Sequence, residues 1–247
     1  MGWAPTSLSI NCPFLKNKIA GIDIGVNNLA TITSNVREFC PLIINGRPLK
    51  SINQYYNKKK AELLSTLMKQ DEKRRASKRI NQLTFKRNCK VDDYLHKASR
   101  LVVNNLIVSS IGTLVIGKNI SWKIGSNMKN KNTQNFVSIP HTRFIDMIVY
   151  KCNLVGITII LQQESHTSKC SFLDFEPIKH RKTYIGKRIK RGLFISSKGI
   201  CINADVNGSA NVIRKAIPNA FADGIEGVVV RPVRITPKGF YSHKLIA

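Results

Sequence analysis

Two aspartates sit in the segments of this sequence best suited to chemistry. Asp23 lies in GIDIGVNNLAT and Asp205 in NADVNGSANVIRK, 182 residues further on. Taken singly, each has an ordinary explanation. Asp near a turn is a common turn or capping residue, and Asp in the first turn of a helix is favoured by the helix dipole. Taken together, the pair suggests hydrolysis of a phosphodiester by the two-metal route, in which two cations lie roughly 3.5–4 Å apart. Hard Mg²⁺ ions take oxygen ligands, so the cage must be built of carboxylates. A third acid is needed, because two adjacent cations repel each other unless anions surround them.

The charge of the chain favours such a substrate. Lys and Arg number 40 and Asp and Glu 14 in 247 residues, a formal +26 with a pI near 10.2. A chain this basic is drawn to polyanions, and nucleic acid is the expected partner. A membrane is not expected. The most apolar stretch, residues 101–116, is interrupted by Asn104, Asn105, Ser109 and Ser110, and falls short of the ~20 apolar residues that a span needs. The N-terminus carries no secretion-signal pattern. The six cysteines are scattered without a C-x-x-C pair, which reads as reduced thiols and a cytoplasmic protein.

The elements must bring the two aspartates together. Residues 19–26 alternate with the period of a strand, with Ile22 and Ile24 on one face and Asp23 on the other. Residues 29–33 predict its hairpin partner, and 41–44 a third strand ending at Asn45-Gly46. Residues 52–110 read as one long helix or a helical hairpin. Within residues 58–100 there are fourteen Lys and Arg against five Asp and Glu, too few acids for a face neutralised by ion pairs. Strand 113–116, a loop over 121–138, helix 141–155 and strand 157–161 follow, a crossover that predicts two parallel neighbours. Residues 166–200 read as a long irregular insertion, with seven Lys and Arg and no acid in 179–191. Residues 205–217 predict a helix stopped by Pro218, and the tail beyond Ala222 reads as loosely packed.

An acid on the first strand and another on the last helix is how an RNase H-like site is assembled. GIDIGVNNLAT and INADVNGSANVIRK resemble the first and third RuvC motifs of the TnpB (OrfB) family. DDYLHKASR, at residues 92–100, resembles the end of that family's helical insertion, and TSKCSFLD and KRGLF resemble the segment around its zinc ribbon. The resemblance covers roughly residues 19–230. It implies a RuvC-like endonuclease of transposon origin, guided by RNA in its full-length relatives, with DNA and guide RNA as partners.

Three departures from the pattern alter these expectations. The second RuvC motif normally ends its strand with Glu, and here TLVIGKN has Gly117 instead. Glu164, in IILQQES at the end of the next strand, is the expected substitute, because parallel neighbours end about 4.8 Å apart. Asp174 and Glu176 are weaker candidates. The zinc ribbon looks dismantled: Cys170 survives, but Leu173, Ser196 and Gly199 stand at the other ligand positions, so no zinc is expected. Finally, the chain begins about twenty residues before the first RuvC strand, so the recognition lobe of the family is expected to be absent.

The expected architecture is therefore α/β: an RNase H-like (RuvC) mixed sheet with a basic helical insertion and a degenerate zinc-ribbon insertion. Residues 1–18 form a short remnant, 19–217 the nuclease domain with insertions near 51–110 and 166–200, and 218–247 a tail. Asp23, Glu164 and Asp205 are expected to hold Mg²⁺ or Mn²⁺. Lys58, Lys59, Lys60, Arg74, Arg75, Lys187, Arg188, Lys190, Arg191 and Arg214 are expected to contact nucleic acid. Asn207 and Asn211 match family positions without an assigned role. Two alternatives stand beside this one: a catalytically inactive transposon remnant that only binds nucleic acid, and a basic structural RNA-binding protein.

Overall fold

The computed structural model describes residues 15–71, 73, 75–118, 139–225 and 230–237. Arg74 and the loop expected at 121–138 lie outside the described residues. Strand β1 (Leu15–Ile24) pairs antiparallel with β2 (Asn28–Ser34), placing Asp23 opposite Thr31. Strand β3 (Leu42–Asn45) continues the meander. Two helices follow, α1 (Arg47–Gln70) and α2 (Lys78–Val108), so the expected helical segment is a hairpin. Helix α1 begins five residues earlier than its apolar pattern suggested, because Pro48 is accommodated in the first turn, where no backbone donor is needed. The Ser77 side chain accepts from the Ile80 backbone and caps α2.

Strand β4 (Ile111–Lys118), helix α3 (His141–Leu154) and strand β5 (Thr158–Gln163) form the expected crossover. Gly156, at φ +80°, ends α3 in the left-handed conformation that glycine adopts without strain. Strand β4 runs parallel to both β1 and β5. Helix α4 (Ala204–Ala216) crosses the sheet, and a 3₁₀ turn (Pro218–Phe221) follows it.

Two segments differ from expectation. The region read as irregular contains a three-stranded antiparallel sheet, β6 (Lys187–Lys190), β7 (Leu193–Ile195) and β8 (Cys201–Asn203). Its strands are too short for a period of two to stand out, and β6 has every residue exposed. The tail is not wholly loose either. Strand β9 (Val233–Ile235) adds to the main sheet parallel to β3, giving the order β5-β4-β1-β2-β3-β9.

The period of two along β1 divides the core. Ala20, Ile22 and Ile24 face α2 and α3, packing among Leu95, Val102, Leu106, Phe144 and Ile148. Ile19 lies in a second cluster with Val206, Ala210 and Ile213 of α4 and with Phe172, Phe194 and Phe221. Lys151 and Arg143 knit α3 to α2. Lys151 is buried and donates to the His96 carbonyl at 2.8 Å and to Ser99 Oγ at 2.6 Å, while Arg143 pairs with Asp92 at 2.8 Å.

Helix α4 rides very close to β1. A Cβ on Gly21 would fall 2.5 Å from Ile213 Cγ1 and 2.7 Å from the Ser209 carbonyl oxygen. Ser209 Oγ donates to the Gly21 carbonyl at 2.8 Å and lies 2.9 Å from Thr33 Oγ1. Adding even a methyl group here must push the helix outward. Gly21→Ala is therefore expected to cost about 1–3 kcal/mol, as overpacked cores do. Urea denaturation checks this, and a loss under about 0.5 kcal/mol would contradict the close approach.

Candidate nuclease site

Asp23 projects from β1 on the α4 side of the sheet. The approach of α4 continues here, since a Cβ on Gly208 would lie 2.8 Å from Asp23 Oδ2. Asp205 sits one turn earlier on the same helix. Asn203 caps that helix, accepting from the backbone N–H of Asp205 at 3.0 Å and of Val206 at 3.3 Å. The cap fixes where the first turn begins, and so where Asp205 projects.

Glu164 reaches Asp23 from the β4–β5 side. Gly117 pairs with Gln162, so Glu164 lies just past the end of β5. Its side chain folds back over Gly117: a Cβ there would fall 2.1 Å from Glu164 Oε1, 2.7 Å from Cγ and 2.8 Å from Cδ. The Glu164 carboxyl thus occupies the space that a side chain at position 117 would fill. Its Oε1 is buried and has no hydrogen-bond partner among the described residues.

The electrostatics follow from this crowding. Burial pushes the Asp23 carboxyl well above the usual carboxylate range, the negative charges of Glu164 and Asp205 push it further, and the Arg188 guanidinium pulls it back. Burial also raises Glu164 to about 7, opposed by the Ile24 backbone. Asp205 is held differently. Its Oδ2 accepts from Asn28 Nδ2 at 2.5 Å, and its Oδ1 lies 3.7 Å from Arg188 Nη2. Asp23 accordingly feels both other acids. Among the described residues, however, no three His, Cys, Asp or Glu side chains converge as a ready-made metal cage.

The donor set nonetheless fits a hard divalent cation. It is all oxygen, one buried oxygen lacks a partner, and two acids are penalised for ionising in the absence of a positive charge. Beside them opens a cleft of about 390 Å³, whose walls include Asp23, Asn27, Asn28, Arg47, Arg188, Arg191, Asp205 and Arg234. Four guanidiniums around two carboxylates suit a phosphate approaching a cation site.

The structure brings Arg188 and Arg191 to this cleft, while Lys187 and Lys190 are exposed on β6 beside them. Lys58, Lys59 and Lys60 lie on α1. Lys58 is exposed, Lys59 pairs with Glu62 at 2.8 Å, and Lys60 stands 5.7 Å from the centre of the Tyr56 ring. Arg75 is exposed between the helices. Arg214 turns inward instead. It is half-buried, donates to the Glu176 carbonyl at 3.3 Å and to Asn211 Oδ1 at 3.0 Å, and stacks over Phe175, so its charge serves packing. Asp174 and Glu176 are likewise spent: Asp174 accepts from Ser197, and buried Glu176 accepts from the backbone of Ser171 and Ile185.

Sequence reasoning missed Arg47, Arg234 and Asn28 as parts of the cleft. It also left Asn207 and Asn211 without a role. Both are fully buried and hold residues 167–172 against α4. Asn207 donates to the Cys170 carbonyl at 2.9 Å and accepts from the Phe172 N–H at 2.8 Å, and Asn211 donates to the carbonyls of Thr167 and Cys170. The recurrence of Asn at i and i+4 on one helix was the available signal.

An antiparallel β1–β2–β3 meander, parallel β4 and β5, and a final helix carrying an acid to β1 define a RuvC-like mixed α/β protein. Residues 13–123 match the family model OrfB_IS605, described as a probable transposase, and residues 141–212 match that of the Cas12f1-like TNB domain. Both matches, and the relative that follows, make the chain similar to the TnpB (OrfB) family. It is 25% identical to the TnpB-like protein ORF457 of Acidianus two-tailed virus, over 94% of this chain and 47% of that protein. The chain thus spans about half the length of this curated relative. Two solved structures share the fold at a TM-score of 0.56. A Cas12f1–sgRNA–target DNA complex is 22% identical and covers 80% of this chain and 50% of its own, and a CRISPR–Cas12f ternary complex is 19% identical and covers 81% and 39%. Among the described residues, no helix is long and apolar enough to cross a membrane.

The raised carboxyls make a prediction about pH. A folded-state value of about 7 against an ordinary 4.5 means that Glu164 costs nothing below pH 4.5 and destabilises the fold progressively as pH rises through 7. In a chelator, the melting temperature should fall across that window, and Glu164→Gln should flatten the fall, each kcal/mol recovered being worth roughly 2–4 °C. Differential scanning fluorimetry across pH measures this. A variant that melts lower than the parent at pH 7.5 would contradict the burial of a strained acid.

Proposed function

We propose that this protein is a divalent-metal-dependent DNA endonuclease of transposon origin, with Asp23, Glu164 and Asp205 as its metal-holding carboxylates. The supporting observation is the exchange between Gly117 and Glu164: the acid missing at the end of one strand is supplied from the end of its parallel neighbour, into the space left vacant. When bound, Mg²⁺ or Mn²⁺ supplies an activated water and stabilises charge on the leaving 3′ oxygen. Asp23 and Asp205 would offer oxygens from the strand and helix sides, and Glu164 its unpartnered Oε1 from behind β4. Arg188 and Arg191 would draw the phosphodiester backbone into the cleft, with Lys187 and Lys190 extending that surface.

The similar structure described as a complex with sgRNA and target DNA supports DNA and guide RNA as partners here. On this reading α1 and α2 are a basic helical insertion, with Lys58, Lys59 and Lys60 on α1 and Arg75 between the helices facing nucleic acid. The β6–β8 sheet is a ribbon that has lost its zinc. The Asp174–Ser197 hydrogen bonds tie together the two turns that zinc would have joined.

A second reading has its own support. The pairing of Asp205 with Asn28 and Arg188, together with the lack of a ready-made trio among the described residues, suits an inactive remnant that only binds nucleic acid. Incubation of the purified protein with single-stranded DNA and Mg²⁺ or Mn²⁺ separates the two. The nuclease reading expects cleavage, lost on the order of 10²–10³-fold in Asp23→Ala and Glu164→Gly. It further expects Gly117→Glu to restore activity when combined with Glu164→Gly. Salt-sensitive binding without cleavage would establish the remnant instead.

A further inference from the structure

We propose that Arg234, on the C-terminal strand β9, is a positioning residue for Asp205 and acts through the Asn28 carboxamide. Arg234 Nη2 donates to Asn28 Oδ1 at 3.1 Å, and Asn28 Nδ2 donates to Asp205 Oδ2 at 2.5 Å. All three residues line the cleft. A carboxamide donates only from nitrogen and accepts only at oxygen. Between a guanidinium and a carboxylate it therefore has one orientation that satisfies both ends. Arg234 holds the oxygen, and the amide hydrogens are thereby aimed at Asp205.

The strand that carries Arg234 is itself anchored. Arg234 pairs with Ile43 in the sheet, Val233 N–H donates to the Pro41 carbonyl at 2.8 Å, and Asn45 Nδ2 donates to Thr236 Oγ1 at 2.9 Å. On the other side of the cleft, Arg188 stands beside the second Asp205 oxygen. Asp205 is thus steadied by a guanidinium directly on one side and by another through a carboxamide on the other. Because Arg234 is exposed, truncating it leaves the core intact. Strand β9 becomes part of the site rather than a tail beyond it.

This inference rests on Asp205 being a metal-holding carboxylate, and its test separates the two ideas. In protein labelled with ¹⁵N-asparagine, the Asn28 side-chain amide should be shifted and protected from exchange. That protection should be lost in Arg234→Ala and partly kept in Arg234→Lys. Affinity for Mn²⁺, read by titration calorimetry, should fall roughly 10-fold in Arg234→Ala and in Asn28→Ala, as for other residues that orient metal ligands. The double variant should be no worse than Asn28→Ala alone. An Asn28 signal unmoved by Arg234→Ala, or losses that multiply in the double variant, would overturn the proposal. So would a reduced salt dependence of single-stranded DNA binding in Arg234→Ala with Asn28 undisturbed, which would make Arg234 a phosphate contact. Wild-type protein that binds Mn²⁺ without cutting DNA ends the nuclease reading and leaves this one standing. If Mn²⁺ does not bind at all, the metal reading fails and the Asn28 amide signal still decides the relay.

Discussion

Helix α4 can bring Asp205 to Asp23 only because almost nothing stands between the helix and strand β1. At Gly21 a side chain would strike the Ser209 carbonyl, and at Gly208 it would press on Asp23 itself. The Ser209 hydroxyl then fastens the helix to the Gly21 carbonyl and to Thr33. Two acids 182 residues apart in the chain are held in one cleft by this contact. Without it the sheet would still form, since its other face has its own core on α2 and α3.

The cost of the arrangement is electrostatic. A buried carboxyl beside two others resists ionisation, and the fold offsets this only in part. Arg188 eases the charge on Asp23 and stands near Asp205, while Glu164 Oε1 has no partner among the described residues. Sites that must bind a cation commonly store strain of this kind, which binding relieves. The surrounding guanidiniums of Arg47, Arg191 and Arg234 leave the cleft inviting to phosphate as well.

Much of the site could be read from the residues. Asp23 and Asp205 stand in contiguous motifs, and the α3 crossover that sets β4 beside β5 follows from a clear change of period. That placement makes Glu164 the natural counterpart of Gly117. What could not be read depended on contacts distant in the chain. Strand β9 is three residues long, and its place in the sheet is fixed by pairing with β3. Arg234 and Asn28 are 206 residues apart, and nothing local marks either as a partner of Asp205. Arg214 is the converse case: on a basic chain every arginine suggests phosphate, and nothing local in the sequence marks the packing of Phe175 and Glu176 around this one.

The central claim is that the carboxylates of Asp23, Glu164 and Asp205 share one divalent-cation site. Crystals soaked in Mn²⁺ and measured at the manganese absorption edge test it most directly. The account predicts an anomalous peak within bonding distance of oxygens from all three side chains, with Glu164 reaching it across Gly117. A peak bound by Asp23 and Asp205 while Glu164 stays turned away, or manganese found only elsewhere on the surface, would contradict it.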